Sequence, residues 1–176
     1  MTGRSHLAIG IATGIAVGRA LAETVFWPQV LFGGLAVGVG LCAFGSLVPD
    51  IDSDKSILGR KFHLPVPHRT ITHSIWPVIA IVLATLWCGL HTVLVFWWAM
   101  FGFGYLSHLV ADACGRAGIC WAWPFQQYIT YDSGAFVAPG HHIKLYRNGE
   151  MSEWTCVAGA VVIVFVASGL FMWLFV

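Results

Sequence analysis

Residues 34–56 read GLAVGVGLCAFGSLVPDIDSDKS. The apolar run they close, residues 28–48, has the roughly 20 residues that carry a helix across a hydrocarbon core of about 30 Å. It stops at Asp50, Asp52 and Asp54, so an uncharged helix delivers three carboxylates to one place. The same economy of charge holds throughout. Of the 176 residues, 58% are hydrophobic and 10% charged, against about a quarter charged in an ordinary globular domain. Four further apolar blocks, residues 7–22, 74–90, 92–113 and 155–176, complete the expected fold: an all-α integral membrane protein of about five transmembrane helices, residues 1–176 forming a single polytopic domain.

The first block has a second reading as a cleaved leader, with Arg4 at its start and Ala20-Leu21-Ala22 as the cut site. Gly10, Gly14 and Gly18 favour a packed span instead, because small residues four apart let two helices approach closely, and Gly34 and Gly38 offer a matching face on the second span. Little more than Gly89, Leu90 and His91 separates the third and fourth blocks, which predicts a tight helical hairpin. With alternating spans, the N-terminus and the loops 49–73 and 114–154 share one side. That side holds Arg4, Lys55, Arg60, Lys61, Arg69, Arg116, Lys144 and Arg147, while the other holds only Arg19. By the positive-inside rule the rich side is cytoplasmic and the C-terminus lies outside. Cys114, Cys120 and Cys156 then face a reducing compartment, and no C-x-x-C pair suggests a thiolate zinc site. The basic residues are too scattered for a nucleic-acid surface. The loop segment CWAWPFQQYITYDSGAFVAPGHH, 120–142, carries the aromatics that favour the headgroup level of a membrane.

Topology places the polar residues at one depth. His6 opens the first span, Asp50 closes the second, His68 and His73 precede the third, and His108 and Asp112 end the fourth. Both Asp50 and Asp112 sit at helix C-termini, where the macrodipole disfavours them, so positive partners are expected. His6 and His73 sit near N-termini, which disfavours imidazolium. Neutral imidazole and ionised carboxylate are the forms that bind metal, and His108 and Asp112, four apart, share one helix face. Such a nitrogen and oxygen set suits zinc first, then manganese or iron. Each residue also has an ordinary reading, as a hydrogen-bonded interfacial histidine or a solvated aspartate; the convergence of six on one level is what points to a site. Asp50, Asp52 and Asp54 imitate the start of a calcium loop, but Lys55 and Lys61 stand where its glycine and glutamate belong. GVGLCA, 38–43, lies inside a span and is no dinucleotide motif. His141 and His142 are candidate additional ligands.

The blocks SHL (5–7), LVPDID (47–52), HRTITHS (68–74), GYLSHLVAD (104–112) and AGICWAWP (117–124) resemble the YdjM-like family of membrane-bound, metal-dependent hydrolases. They fall in the family's order over residues 1 to about 125. The resemblance implies a polytopic inner-membrane protein and carries His6, Asp50, Asp52, His68, His73, His108 and Asp112 over as metal-site residues. Relatives often read PDIDH, where this chain has Ser53 after Asp52.

The expected function is a metal-dependent hydrolase acting on a phosphate ester of a lipid or other membrane-associated substrate, with one or two divalent ions. Asp52 or Asp54 is the expected general base, and Arg69 the residue to bind two phosphate oxygens. Two alternatives come from other classes. A metal or proton transporter would place its site near the bilayer midplane, and a noncatalytic scaffold would keep its metal fully closed.

Overall fold

The structure, a computed structural model, describes residues 1–24, 34–62, 64–88, 93–130, 136–140 and 143–175. It is helical. In chain order come α1 (Gly3–Thr24), α2 (Gly34–Gly45), the single turn α3 (Gly59–Phe62), α4 (Ile75–Trp87), α5 (Val93–Ala113) and α6 (Met151–Phe175), with 3-10 turns at Pro49–Asp52 and Ile71–His73. A ribbon of two residues per strand, β1 (Ile129–Thr130) and β2 (Phe136–Val137), lies between α5 and α6. Two stretches, Gly34–Asp52 and Leu94–Ala113, are long and apolar enough to cross a membrane, and Ile75–Trp87 and Met151–Val166 are shorter apolar helices. The expected turn at Gly89–His91 lies outside the described residues, as do His141 and His142.

α1 and α5 are the centre of the bundle. α1 packs against α2, α5 and α6, α5 also takes α2 and α4, and α4 contributes no buried side chain of its own. The glycine stripe of α1 meets α2 as the spacing predicts: a side chain at Gly10 would strike Ala43 and Ser46, one at Gly14 Val39 and Cys42, and one at Gly18 Leu35. Gly38 differs from expectation. It faces Phe96 and Met100 of α5, so α2 is squeezed from two sides, by the glycines of α1 on one and through its own Gly38 and Gly45 against α5 on the other.

The closest approach is between α2 and α5. A Cβ at Gly104 would lie 1.9 Å from the Cys42 carbonyl oxygen, and one at Gly45 2.3 Å from that of Phe101. Backbone lies on backbone there, which no rotamer change can relieve. This contact brings the C-terminal end of α2, and the Asp50 turn that follows it, alongside the last two turns of α5. Over-packing a core of this density costs about 1–3 kcal/mol and more where backbone must move. Gly104→Val is therefore expected to lower the thermal midpoint of the detergent-purified protein, followed by circular dichroism, while Gly40→Val, at a position with no neighbour within 4 Å, leaves it nearly unchanged.

Candidate metal centre

The buried polar residues cluster where α1, α5 and the two 3-10 turns meet. His6, His73, His108, Asp52 and Asp112 are all buried, as are Ser5, Ser46 and Thr72 around them. Among the described residues three overlapping groups could hold a metal ion: His6 with Asp50 and His108, Asp50 with His68 and His73, and His73 with His108 and Asp112. Six of the seven residues expected as ligands thus come together. Asp52 stands behind them, and Asp54, the other candidate base, is solvent-exposed and belongs to none of the groups.

Local hydrogen bonds decide which way the imidazoles face. His108 Nδ1 donates to the Ser46 carbonyl at 2.8 Å, which leaves Nε2 as its inward atom. The Thr72 hydroxyl donates to Asp52, so its oxygen is left to accept from His73 Nδ1 at 3.1 Å, and His73 also turns Nε2 inward. The two Nε2 atoms face each other at 3.2 Å. Two lone pairs at that distance repel unless a cation stands between them, either a proton or a metal ion. Carboxylate oxygens lie close to both: Asp50 Oδ1 is 3.5 Å from His73 Nε2 and 3.6 Å from His108 Nε2, and Asp112 Oδ2 is 3.7 and 3.8 Å from the same atoms. Ligands about 2.0–2.2 Å from one tetrahedral ion stand about 3.3–3.6 Å apart. The observed separations match within a few tenths of an ångström, so the donor set fits a small divalent ion.

His6 adds a second sign of fit. Its ring stacks on His108 with centroids 3.7 Å apart, and among the described residues neither ring nitrogen has a hydrogen-bond partner, although Nε2 lies 3.2 Å from Asp112 Oδ1. A buried imidazole left without partners is costly, and coordination would satisfy it. His68 is the open edge. Its side chain is 41% exposed and its Nδ1 donates to Asp52 Oδ1 at 2.7 Å, the arrangement in which a carboxylate orients a metal-binding histidine.

The partners expected for the aspartates are present. Asp112 receives Arg69 Nη2 at 3.2 Å and the Met1 amine at 2.6 Å. Arg69 has φ 64°, in the left-handed region, held by Asp52 on its N–H and by the Gly118 carbonyl and Asp112 on its guanidinium. Burial works against the charge of Arg69, yet Asp112, Tyr128, Asp50 and Tyr146 together outweigh it and raise its pKa. The helix terminus was expected to keep His73 neutral. Burial indeed pushes that way, but Asp50 and Asp52 beside the ring, with Asp112, prevail and hold its pKa above the ordinary value. The same carboxylate field favours any cation at that point.

Several residues that shape the site are absent from the sequence reading. Thr72 relays between His73 and Asp52, Tyr105 on α5 donates to the Thr72 carbonyl, and Glu153 holds the start of α1. Of these Glu153 carried a signal of its own, the acid nearest the start of an apolar run. The aromatic segment reaches the site indirectly: Trp121 and Trp123 accept hydrogen bonds from Ile75 N–H and Trp76 Nε1 at the start of α4.

A family model described as YdjM inner membrane protein matches residues 1–175. The chain belongs to that family. It is 33% identical over 142 residues to the inner membrane protein YdjM of Escherichia coli K12, and equally so to that of Shigella flexneri. The match takes in 70% of this chain and 66% of each relative, just under two thirds of their length. No solved structure matches. Membership makes the chain an inner membrane protein, and the family match runs on through α6, beyond the motifs that end near residue 125.

Two outcomes test the centre. His108→Ala combined with Asp112→Ala is expected to remove most bound metal from the purified protein, read by elemental analysis; unchanged content would refute the site. Asp52→Asn should retain metal at saturation but weaken its binding about 10- to 100-fold, as loss of an orienting carboxylate does.

Proposed function

We propose that this YdjM-family protein is a zinc-type metal-dependent hydrolase of the inner membrane, acting on a phosphate ester of a lipid or membrane-associated substrate. In this reading residues 1–176 form one polytopic domain of five spans, with the N-terminus and the metal site on the cytoplasmic side and the C-terminus outside. The observation that carries it is the shape of the cluster's burial. His73, His108 and Asp112 are closed off, whereas His68 at 41% and Asp50 at 14% side-chain exposure leave one edge open, and Arg69 lies on the same sequence turn as His68.

His73, His108, Asp112 and Asp50 would hold one ion, with His6 supplying a further donor; His68 Nε2 would either serve a second ion or, in a one-ion site, stay off the metal as a proton acceptor. A bound divalent ion would polarise the scissile phosphoryl group and acidify a water beside it. Asp52 has its oxygens engaged by His68, Arg69 N–H and Thr72, so it serves as a base through His68: a proton taken up at His68 Nε2 is stabilised by Asp52 on Nδ1. Asp54 is the weaker candidate for that role. Arg69 keeps donors beyond those given to Gly118 and Asp112, and its planar fork suits phosphate oxygens. The deep burial of His6, His73, His108 and Asp112 favours a second reading, a scaffold whose metal is structural.

Hydrolysis separates the two. Metal-loaded protein is expected to release phosphate from a lipid phosphate monoester in detergent, with the activity lost in His108→Ala and the KM raised in Arg69→Ala. Tight metal binding with no turnover on lipid or soluble phosphate esters would leave the structural role. The orientation is tested in sealed cells with a chain free of native cysteines: Lys55→Cys should escape a membrane-impermeant maleimide, and efficient labelling would reverse the topology.

A further inference from the structure

We propose that Glu153, in the first turn of α6, is a positioning residue for the His6 arm of the centre, acting through the register of α1. The inference rests on the metal reading above. Glu153 is fully buried, and its carboxylate gathers donors from the distant chain start and from the turn just before its own helix. Oε1 accepts the Thr2 N–H at 2.6 Å and the Ser5 hydroxyl, and Oε2 accepts the Gly149 N–H. A carboxylate is acceptor-only, so every donor gathered there is satisfied at once. Its place in the first turn of a helix also suits its charge.

What makes this clamp matter is the residue beside Ser5. His6 lacks any hydrogen bond on its ring among the described residues, so only its stacking on His108 and its own backbone place it. A slip or rotation of α1 would carry the ring away from Asp112 Oδ1, now 3.2 Å off, and besides the Met1 amine on that same oxygen the hydrogen bonds to Glu153 are what hold this turn. Among the described residues Glu153 is the side chain whose hydrogen bonds tie this turn of α1 to α6. The same segment also reaches the other member of the pair: Tyr146 donates to the Ala111 carbonyl at 2.8 Å, next to Asp112 on α5. Residues 146–153 thus grip both halves of the His6–Asp112 pair without entering the centre.

The test uses Co²⁺ as the probe, titrated into metal-stripped full-length protein in detergent and read by affinity and by the ligand-field absorption bands. Glu153→Ala is expected to weaken Co²⁺ binding about 10- to 100-fold, the range for residues that orient a ligand, and to shift the bands. Ser5→Ala should act in the same direction less strongly, and Glu153→Gln, which keeps one acceptor for Thr2 and Ser5, should recover part of the loss. In a His6→Ala background, Glu153→Ala should add less than about a twofold further change, because a residue acting through His6 has nothing left to act on. Wild-type affinity and bands in Glu153→Ala, or full additivity with His6→Ala, would overturn the proposal. Where Glu153→Ala does not fold, the cycles with Glu153→Gln and Ser5→Ala decide in the same way. Wild-type protein that takes up no Co²⁺ would instead overturn the metal reading, and this inference with it.

Discussion

Asp112 is buried near the end of an apolar helix, and much of the fold answers the charge it carries. An isolated carboxylate in such surroundings would be prohibitively unfavourable. One oxygen faces the Met1 amine and His6, the other faces Arg69, His73 and His108. These partners come from the chain start, the 68–73 loop and α5 itself, so the carboxylate selects a tertiary arrangement rather than a local one. Satisfying it draws in Asp50 and Asp52, which balance the imidazoles, and Thr72 and Ser46, which orient them. The close backbone contact of α2 and α5 at Gly45 and Gly104 is the mechanical counterpart, bringing the aspartate turn to the level where those partners lie.

The helices were legible because an apolar block of membrane length has little choice but to form one. The α1–α2 contact was legible too, from glycines spaced four apart. Gly38 was misdirected, since periodicity gives a face and not a partner, and the large residues that need the space, Phe96 and Met100, lie about sixty positions away. The end of α6 nearest the site was read as starting at 155, while the helix begins at Met151; polar residues in a first turn look like loop to a hydropathy argument.

The site divides along similar lines. Convergence of His6, Asp50, His68, His73, His108 and Asp112 followed from alternating spans alone. Asp52 as an orienting carboxylate could not follow, because alternate positions on an extended reading say nothing of a 3-10 turn that points Asp50 and Asp52 at different partners. The protonation preference of His73 was read from the helix terminus, yet the carboxylates at close range outweigh a dipole that falls off within a turn. Thr72 and Tyr105 lay inside the blocks HRTITHS and GYLSHLVAD, yet nothing in their chemistry marked them, being ordinary residues given a task by their neighbours.

Arg69 stands in a left-handed conformation that a side chain of its kind adopts at a cost of about 1–2 kcal/mol. Glycine would adopt it freely, so the position sets conformational ease against the guanidinium. The chain has accepted a weaker loop in order to keep a cation beside Asp112. Selection for thermal robustness alone would drift toward glycine here, and a stabilised variant found that way would have exchanged the site's charge balance for its gain in melting temperature.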